Sequence, residues 1–370
     1  MSIGIGMKRP AEAGRPAWVI PLAGKVEALA LPLLSLLAGL ALFAVFLALQ
    51  GRSPVDFYAL VYKAGFGTAF SWQNTLARAA PLLFAALCVA IPARLGLVII
   101  GGEGAIVLGG VMTGGLAAHV AGLPAGIAMP LLALAAGLTG AVWIGLSGVL
   151  RQWRGVNETI ASLLMAYIAI ALMNHLVEGP LRDPASLNKP STAPIEAALK
   201  VGTIPGWSVH WGLVVALGGC GLAWVLIERT TLGFAARIAG GNIRAAQVQG
   251  LPVGRLVVGF TALGGAFAGL AGYFEVSAVH GSANASLAAG YGYTGILIAF
   301  LARQNPLALI PVALLLAGFE ASSGLVQRRM DLPDATMLVL QGFVFVALLV
   351  GDSFQGRLDL ARRLFPEERK

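Results

Sequence analysis

The chain has 370 residues, of which 58% are hydrophobic and only 11% charged, with a mean hydropathy of +0.82. A soluble domain carries about 25% charged residues, so this composition excludes a water-facing globular surface. The net charge of +8 does not point to nucleic acid, because the basic residues flank apolar runs and form no stripe. The 49 glycines suit helices that approach closely inside lipid. Cys88 and Cys220 both fall within apolar runs and read as packing residues.

About 20 apolar residues span the hydrocarbon core of a bilayer. That ruler predicts an all-α polytopic membrane protein of about ten transmembrane helices, some short or broken, around a central pathway. The helices are expected near 29–49, 76–93, 104–120, 125–150, 159–177, 210–228, 256–276, 290–302, 306–325 and 335–351. Residues 1–28 read as a cytoplasmic N-terminal segment, 29–351 as a single transmembrane domain and 352–370 as a cytoplasmic tail. The first run is too long for the apolar core of a signal peptide. Pro81 and Pro92 bracket the second, and the eighth holds barely a dozen residues after a glycine-rich start.

With ten crossings and a cytoplasmic N-terminus, 17 of the 25 Lys and Arg fall on the inner face and 8 on the outer, the bias that orients membrane proteins. Arg328 and Arg329 run against it. This topology puts the Pro- and Gly-rich loop 178–208 outside and the segment 229–255 inside. The inner segment holds Arg229, Arg237, Arg244 and Arg255 without an acid. Within it, Asn242 is a plausible N-cap, 243–249 a short helix, and Gly250 with Pro252 its stop. It reads either as a solvated basic loop or as a docking helix for a cytoplasmic partner.

Nothing in the sequence assembles a catalytic or metal site. A nucleotide-binding loop needs G-x-x-x-x-G-K-[ST], whereas Gly24-Lys25 is followed by Val26. The chain is therefore expected to hold no ATPase site and no cofactor of its own. His119, His175, His210 and His280 are isolated, not at ligand spacing. Ser147 sits in a G-x-S-G stretch like that of intramembrane serine proteases. The histidines, however, fall at the opposite ends of the helices, roughly 20–30 Å away, while a nucleophile and its base must lie within about 3 Å. Small residues at a helix contact are the better account.

Charge within the membrane is the stronger guide, since it is costly and marks a pathway or a pair. Glu103 lies among Gly101, Gly102 and Gly104, a composition suited to a broken segment whose backbone lines a cavity. The bland alternative places it at the inner interface beside Arg94. Glu275 and Glu320 are further candidates. Tyr291 and Tyr293, beside the glycine-rich start of the eighth helix, are either stacking rings for a base or ordinary interfacial anchors. Thr294 and Glu103 then supply hydrogen bonds.

Several stretches, in order, are similar to one family. They are 75–83 (Thr-Leu-Ala-Arg-Ala-Ala-Pro-Leu-Leu), 96–104, 157–160 (Asn-Glu-Thr-Ile), 179–184 (Gly-Pro-Leu-Arg-Asp-Pro), 275–281, 290–296 (Gly-Tyr-Gly-Tyr-Thr-Gly-Ile) and 303–307. Over about 74–350 the chain resembles the permeases of nucleoside and simple-sugar ABC importers, which also include branched-chain amino acid permeases. Ile99 stands where the family usually has Asn, and Ala105 where Gln commonly follows Glu-Gly.

The resemblance implies a bacterial inner-membrane permease driven by separate cytoplasmic ATPase subunits, which bind the ATP. It also implies a second, often non-identical permease and an extracytoplasmic substrate-binding protein; no nucleic acid is involved. Asn242, Arg244, Ala245, Ala246 and Gly250 would form the coupling helix. The expected cargo is a small neutral ring-containing solute, a nucleoside or nucleobase first and a simple sugar second. An ion-coupled secondary transporter with inverted repeats is the alternative, because helices two to five and seven to ten could be inverted copies.

Overall fold

The computed structural model describes residues 19–353, with side chains from residue 31 onward. Most of the predicted N-terminal segment 1–28 and nearly all of the tail 352–370 lie outside the described residues, as do the basic residues counted there except Lys25, which falls in the first helix. The chain divides into two compact units.

The first unit comprises residues up to Pro54 together with those from Leu338 onward. Its helix α1, Val19–Leu49, begins ten residues before the predicted run and contains Pro32. The last helix, Thr336–Ser353, supplies the other half. At Gly39 an added Cβ would stand 2.6 Å from Val344 Cα, so the two backbones touch there. Phe43 and Phe46 flank Phe343, with ring centroids 6.0 and 5.6 Å away. The opposite face of α1 exposes Leu33, Leu34, Leu37, Leu42 and Val45, as lipid requires.

The second unit, Val55–Met337, holds the rest. Its helices are α2 (Pro54–Gly65), α3 (Ala69–Ala93), α4 (Gly102–Val120), α5 (Ala125–Arg154), α6 (Glu158–Glu178) and α7 (Gly212–Arg229). They continue with α8 (Thr231–Gly241), α9 (Ile243–Val248), α10 (Val253–Phe274), α11 (Tyr291–Leu301) and α12 (Leu309–Met330), so Thr336–Ser353 is α13. A π-turn, Glu275–His280, prolongs α10. No strand occurs among the described residues. Among the described residues eight helices are long and apolar enough to cross a membrane, with two shorter apolar ones, 285–301 and 336–351, beside the ten predicted. The protein is an all-α, multi-pass membrane protein.

Helix α3 is the hub, packed against α7, α10, α11 and α12. From Ala79 to Pro92 it is buried on every side, which is why its sequence there lacks polar residues. Around it, α4, α5 and α10 meet through small residues. A Cβ at Gly265 would stand 2.8 Å from Ile144 Cβ, and one at Gly109 would stand 2.7 Å from Gly269 Cα. This is the packing that helices in lipid use where hydrophobic burial supplies no drive.

Helix α7 joins two polar segments at opposite ends of the bundle, the loop 179–211 before it and α8–α9 after it. The loop packs on the end of α10, where Val201 N donates to Ser277 O (3.1 Å) and Thr192 N to Ala283 O (2.9 Å). It also reaches the start of α3, where Ser208 N donates to Gln73 Oε1 (2.9 Å). At the other end, Asn157 caps α6 by accepting from Thr159 N and Ile160 N. Arg151 pairs there with Glu158. The similarity at 157–160 thus marks a helix start.

Helix α11 is different in kind. Eleven residues extend about 16 Å at 1.5 Å per residue, half of a hydrocarbon core of about 30 Å. Its chain arrives through an irregular stretch, 281–290, rather than from a full crossing.

Candidate functional site

Glu103 sits in the first turn of α4 and is 1% exposed. Its Oε1 accepts from Gly290 N at 2.7 Å and its Oε2 from Gly292 N at 2.6 Å. Both carboxylate oxygens therefore meet the backbone at the start of α11. That start carries unsatisfied amides and the positive end of the helix dipole. Gly290 has φ +87, a conformation costly for other residues. At Gly292 a Cβ would stand 2.7 Å from Glu103 Cα, so the glycines are what let the carboxylate come this close. The short eighth helix expected after a glycine-rich start is present as α11. The Gly101–Gly104 stretch instead begins the regular helix α4, from which Glu103 accepts hydrogen bonds from the amides that open α11.

The other predicted pathway residues divide by exposure. Gly101 and Gly104 are buried where α4 crosses α6, and a Cβ at Gly104 would stand 2.8 Å from Ala166 Cα. Thr294 is buried, and Glu275 lies 3.4 Å from His280 Nε2 in the π-turn. Tyr291 is half-buried, and Tyr293 is exposed. Ile99 and Ala105 are fully buried in the core, so both apolar residues replace packing rather than surface. Ser147 is also fully buried, and its hydroxyl donates to Ile144 O at 2.7 Å within its own helix. No cluster of His, Cys, Asp or Glu suited to a metal occurs among the described residues.

A cavity of about 510 Å³ opens instead among α2, α3 and α12, at the end that carries the loop 179–211. Asn74 and Arg78 of α3 line it with Ser323, Gln327 and Arg328 of α12, and Lys63 and Asp334 stand at its edge. Sequence reasoning missed this site. It counted Lys63, Arg78 and Arg328 as outer flanking charges. The misfit of Arg328 and Arg329 in the charge count was the one signal that these arginines do more than orient the chain.

At the opposite end, α8 and α9 form a surface. The Thr230 side chain caps α8 by accepting from Gly233 N (3.2 Å), and Asn242 caps α9 by accepting from Ala245 N (3.0 Å). Gly250 ends the segment with φ +75. The predicted N-cap, short helix and stop fall within a residue of their places. Ala246 is buried and anchors α9, whereas Asn242, Arg244 and Ala245 are exposed. Ile243 is 45% and Val248 88% exposed, beside Leu232 and Phe234 of α8, both more than half exposed. Beneath them Glu228 meets Arg237 at 2.8 Å and Arg94 at 3.6 Å, and Arg94 also donates to Gln304 O at 3.2 Å. Burial pushes the Arg94 pKa down, Glu228 opposes that shift and Arg237 adds to it.

A bundle of membrane-crossing helices, a half-length helix capped inside it and a capped amphipathic element at one end define a polytopic membrane permease. Residues 71–349 match the family described as branched-chain amino acid transport system / permease component, and the chain belongs to it. It is 33% identical to a glucose ABC transporter permease protein of Haloferax volcanii, over 92% of this chain and 90% of that one. It is 27% identical to a guanosine ABC transporter permease protein of Bacillus subtilis, over 91% and 97%. A probable riboflavin import permease protein of Treponema pallidum is 25% identical over 89% and 87%. No solved structure matches. The protein is thus a permease of the ABC importer type, not an ion-coupled secondary carrier.

Proposed function

We propose that this permease forms the inward pathway for a neutral, hydroxylated ring solute, a nucleoside or a simple sugar, and that separate ATPase subunits drive it by gripping α8–α9. The observation that carries the reading is the α9 segment. A six-residue helix with a capped start and a left-handed glycine after it is defined at both ends, yet it leaves Ile243, Arg244 and Val248 exposed. A solvated basic loop needs neither caps nor exposed aliphatic side chains. This end is cytoplasmic, in keeping with the excess of basic residues there, and the loop 179–211 faces the binding protein outside. A second permease completes the pathway. The chain itself binds no nucleotide.

The solute class rests on the relatives, whose named cargoes are glucose, guanosine and riboflavin, all hydroxylated or ribityl-bearing. Their shared chemistry favours hydroxyl recognition over an amino acid zwitterion. Uptake of labelled glucose, guanosine and leucine in cells with and without this chain tests it. Loss of glucose or guanosine uptake in the deletion strain, with leucine uptake intact, is expected. Loss of leucine uptake alone would refute the solute class.

A further inference from the structure

We infer that the cavity between α2, α3 and α12 is the solute-recognition site of the pathway, with Arg78 as its main hydrogen-bond donor to solute oxygens. The inference rests on the solute class proposed above and deepens it. Asn74 and Arg78 lie four residues apart on α3, and Ser323 and Gln327 four apart on α12, so each pair shares one helix face. Both helices are long and apolar enough to cross the membrane. A polar, charged face on such a helix is unfavourable against lipid. Facing a water-filled passage removes that penalty.

The cavity's contents argue for a ligand as well as for water. Its volume, about 510 Å³, falls within the range of small-molecule sites, roughly 300–1,000 Å³. The Arg78 Nε is buried and has no hydrogen-bond partner, although buried donors are nearly always satisfied. Amide groups from Asn74 and Gln327, the Ser323 hydroxyl and the Asp334 carboxylate add both donors and acceptors. Each hydroxyl of a sugar or ribosyl ring both donates and accepts, so this mixed set fits it. Three cations against one carboxylate at the cavity disfavour a cationic solute. Glu103 and Glu275, by contrast, already face the Gly290 and Gly292 amides and His280.

The test uses the assembled importer in proteoliposomes, with labelled glucose and guanosine as probes. For Arg78→Gln we expect the apparent KM to rise at least tenfold while the assembled complex and its thermal stability persist. If Arg78→Gln does not assemble, Gln327→Ala, at an exposed position of α12, is read in the same way. In a Cys88→Ala/Cys220→Ala background, Ser323→Cys should react with a membrane-impermeant maleimide, and saturating transported solute should slow that reaction. A wild type that carries neither probe overturns the solute class beneath the proposal. Wild-type uptake with an unchanged KM in Arg78→Gln or Gln327→Ala, and labelling that solute does not slow, overturns the cavity assignment alone.

Discussion

Replacing Glu103 by alanine should abolish uptake and destabilise the permease measurably. The Gly290 and Gly292 amides would both lose their acceptor in a buried site. Each unsatisfied buried donor costs about 1–3 kcal/mol, and the positive end of α11 would lose its counter-charge, worth about 0.3–1 kcal/mol or more. Glu103→Gln is the finer probe. Its carbonyl oxygen can serve one amide, but its NH2 group faces the other as donor against donor. We expect intermediate stability and strongly reduced uptake. Thermal unfolding of the detergent-purified protein, followed beside uptake, separates this account from one in which Glu103 touches only the solute. Reduced uptake with wild-type stability in Glu103→Gln would count against the capping role.

The second large effect belongs to α9. Val248→Asp and Ile243→Asp place charge on the two exposed aliphatic side chains at either end of the helix, and both should weaken ATPase association at least tenfold. Both side chains are exposed, so expression and thermal stability should hold. Gly250→Val works through the backbone. Its φ of +75 costs an L-residue roughly 1–2 kcal/mol, more for a β-branched side chain, and re-aims the end of α9. Transport should fall in all three, together with solute-stimulated ATP hydrolysis. Pull-down of the ATPase subunits with each purified variant gives the direct reading. Wild-type capture by Val248→Asp and Ile243→Asp would remove α9 from the interface.

The contrast between the two ends of the molecule explains what the sequence could reveal. Membrane crossings are legible because lipid demands long apolar runs, and the observed helices fall close to the predicted ones. Helix α9 was legible for a local reason: Asn242 and Gly250 act on their own backbone neighbours, and capping needs no tertiary partner. Helix α8 escaped notice because its eleven residues, ending in Gly240 and Gly241, are too short and too glycine-rich to register as a periodic run. Helix α2, with Asp56 and Lys63 inside it, fell below the length of a crossing.

The site residues were harder, for a physical reason. Glu103 was singled out by its glycine neighbours, but its partners are backbone amides nearly two hundred residues away, and amides carry no sequence signature. Arg78 and Gln327 come together only when α3 meets α12. A sequence shows each as an ordinary polar residue near a helix end, and the positive-inside rule absorbs the arginines without remainder. The exception was the pair Arg328 and Arg329, which run against that rule, and of the two Arg328 lines the cavity.

ATP hydrolysis and solute uptake measured together in proteoliposomes test the central claim most directly. The assembly would contain this chain, its partner permease, the ATPase subunits and the binding protein. We predict that uptake of glucose or guanosine requires MgATP and the ATPase subunits, and that this chain alone hydrolyses no ATP. Uptake by this chain alone, driven by a proton or sodium gradient and indifferent to ATP, would contradict the account.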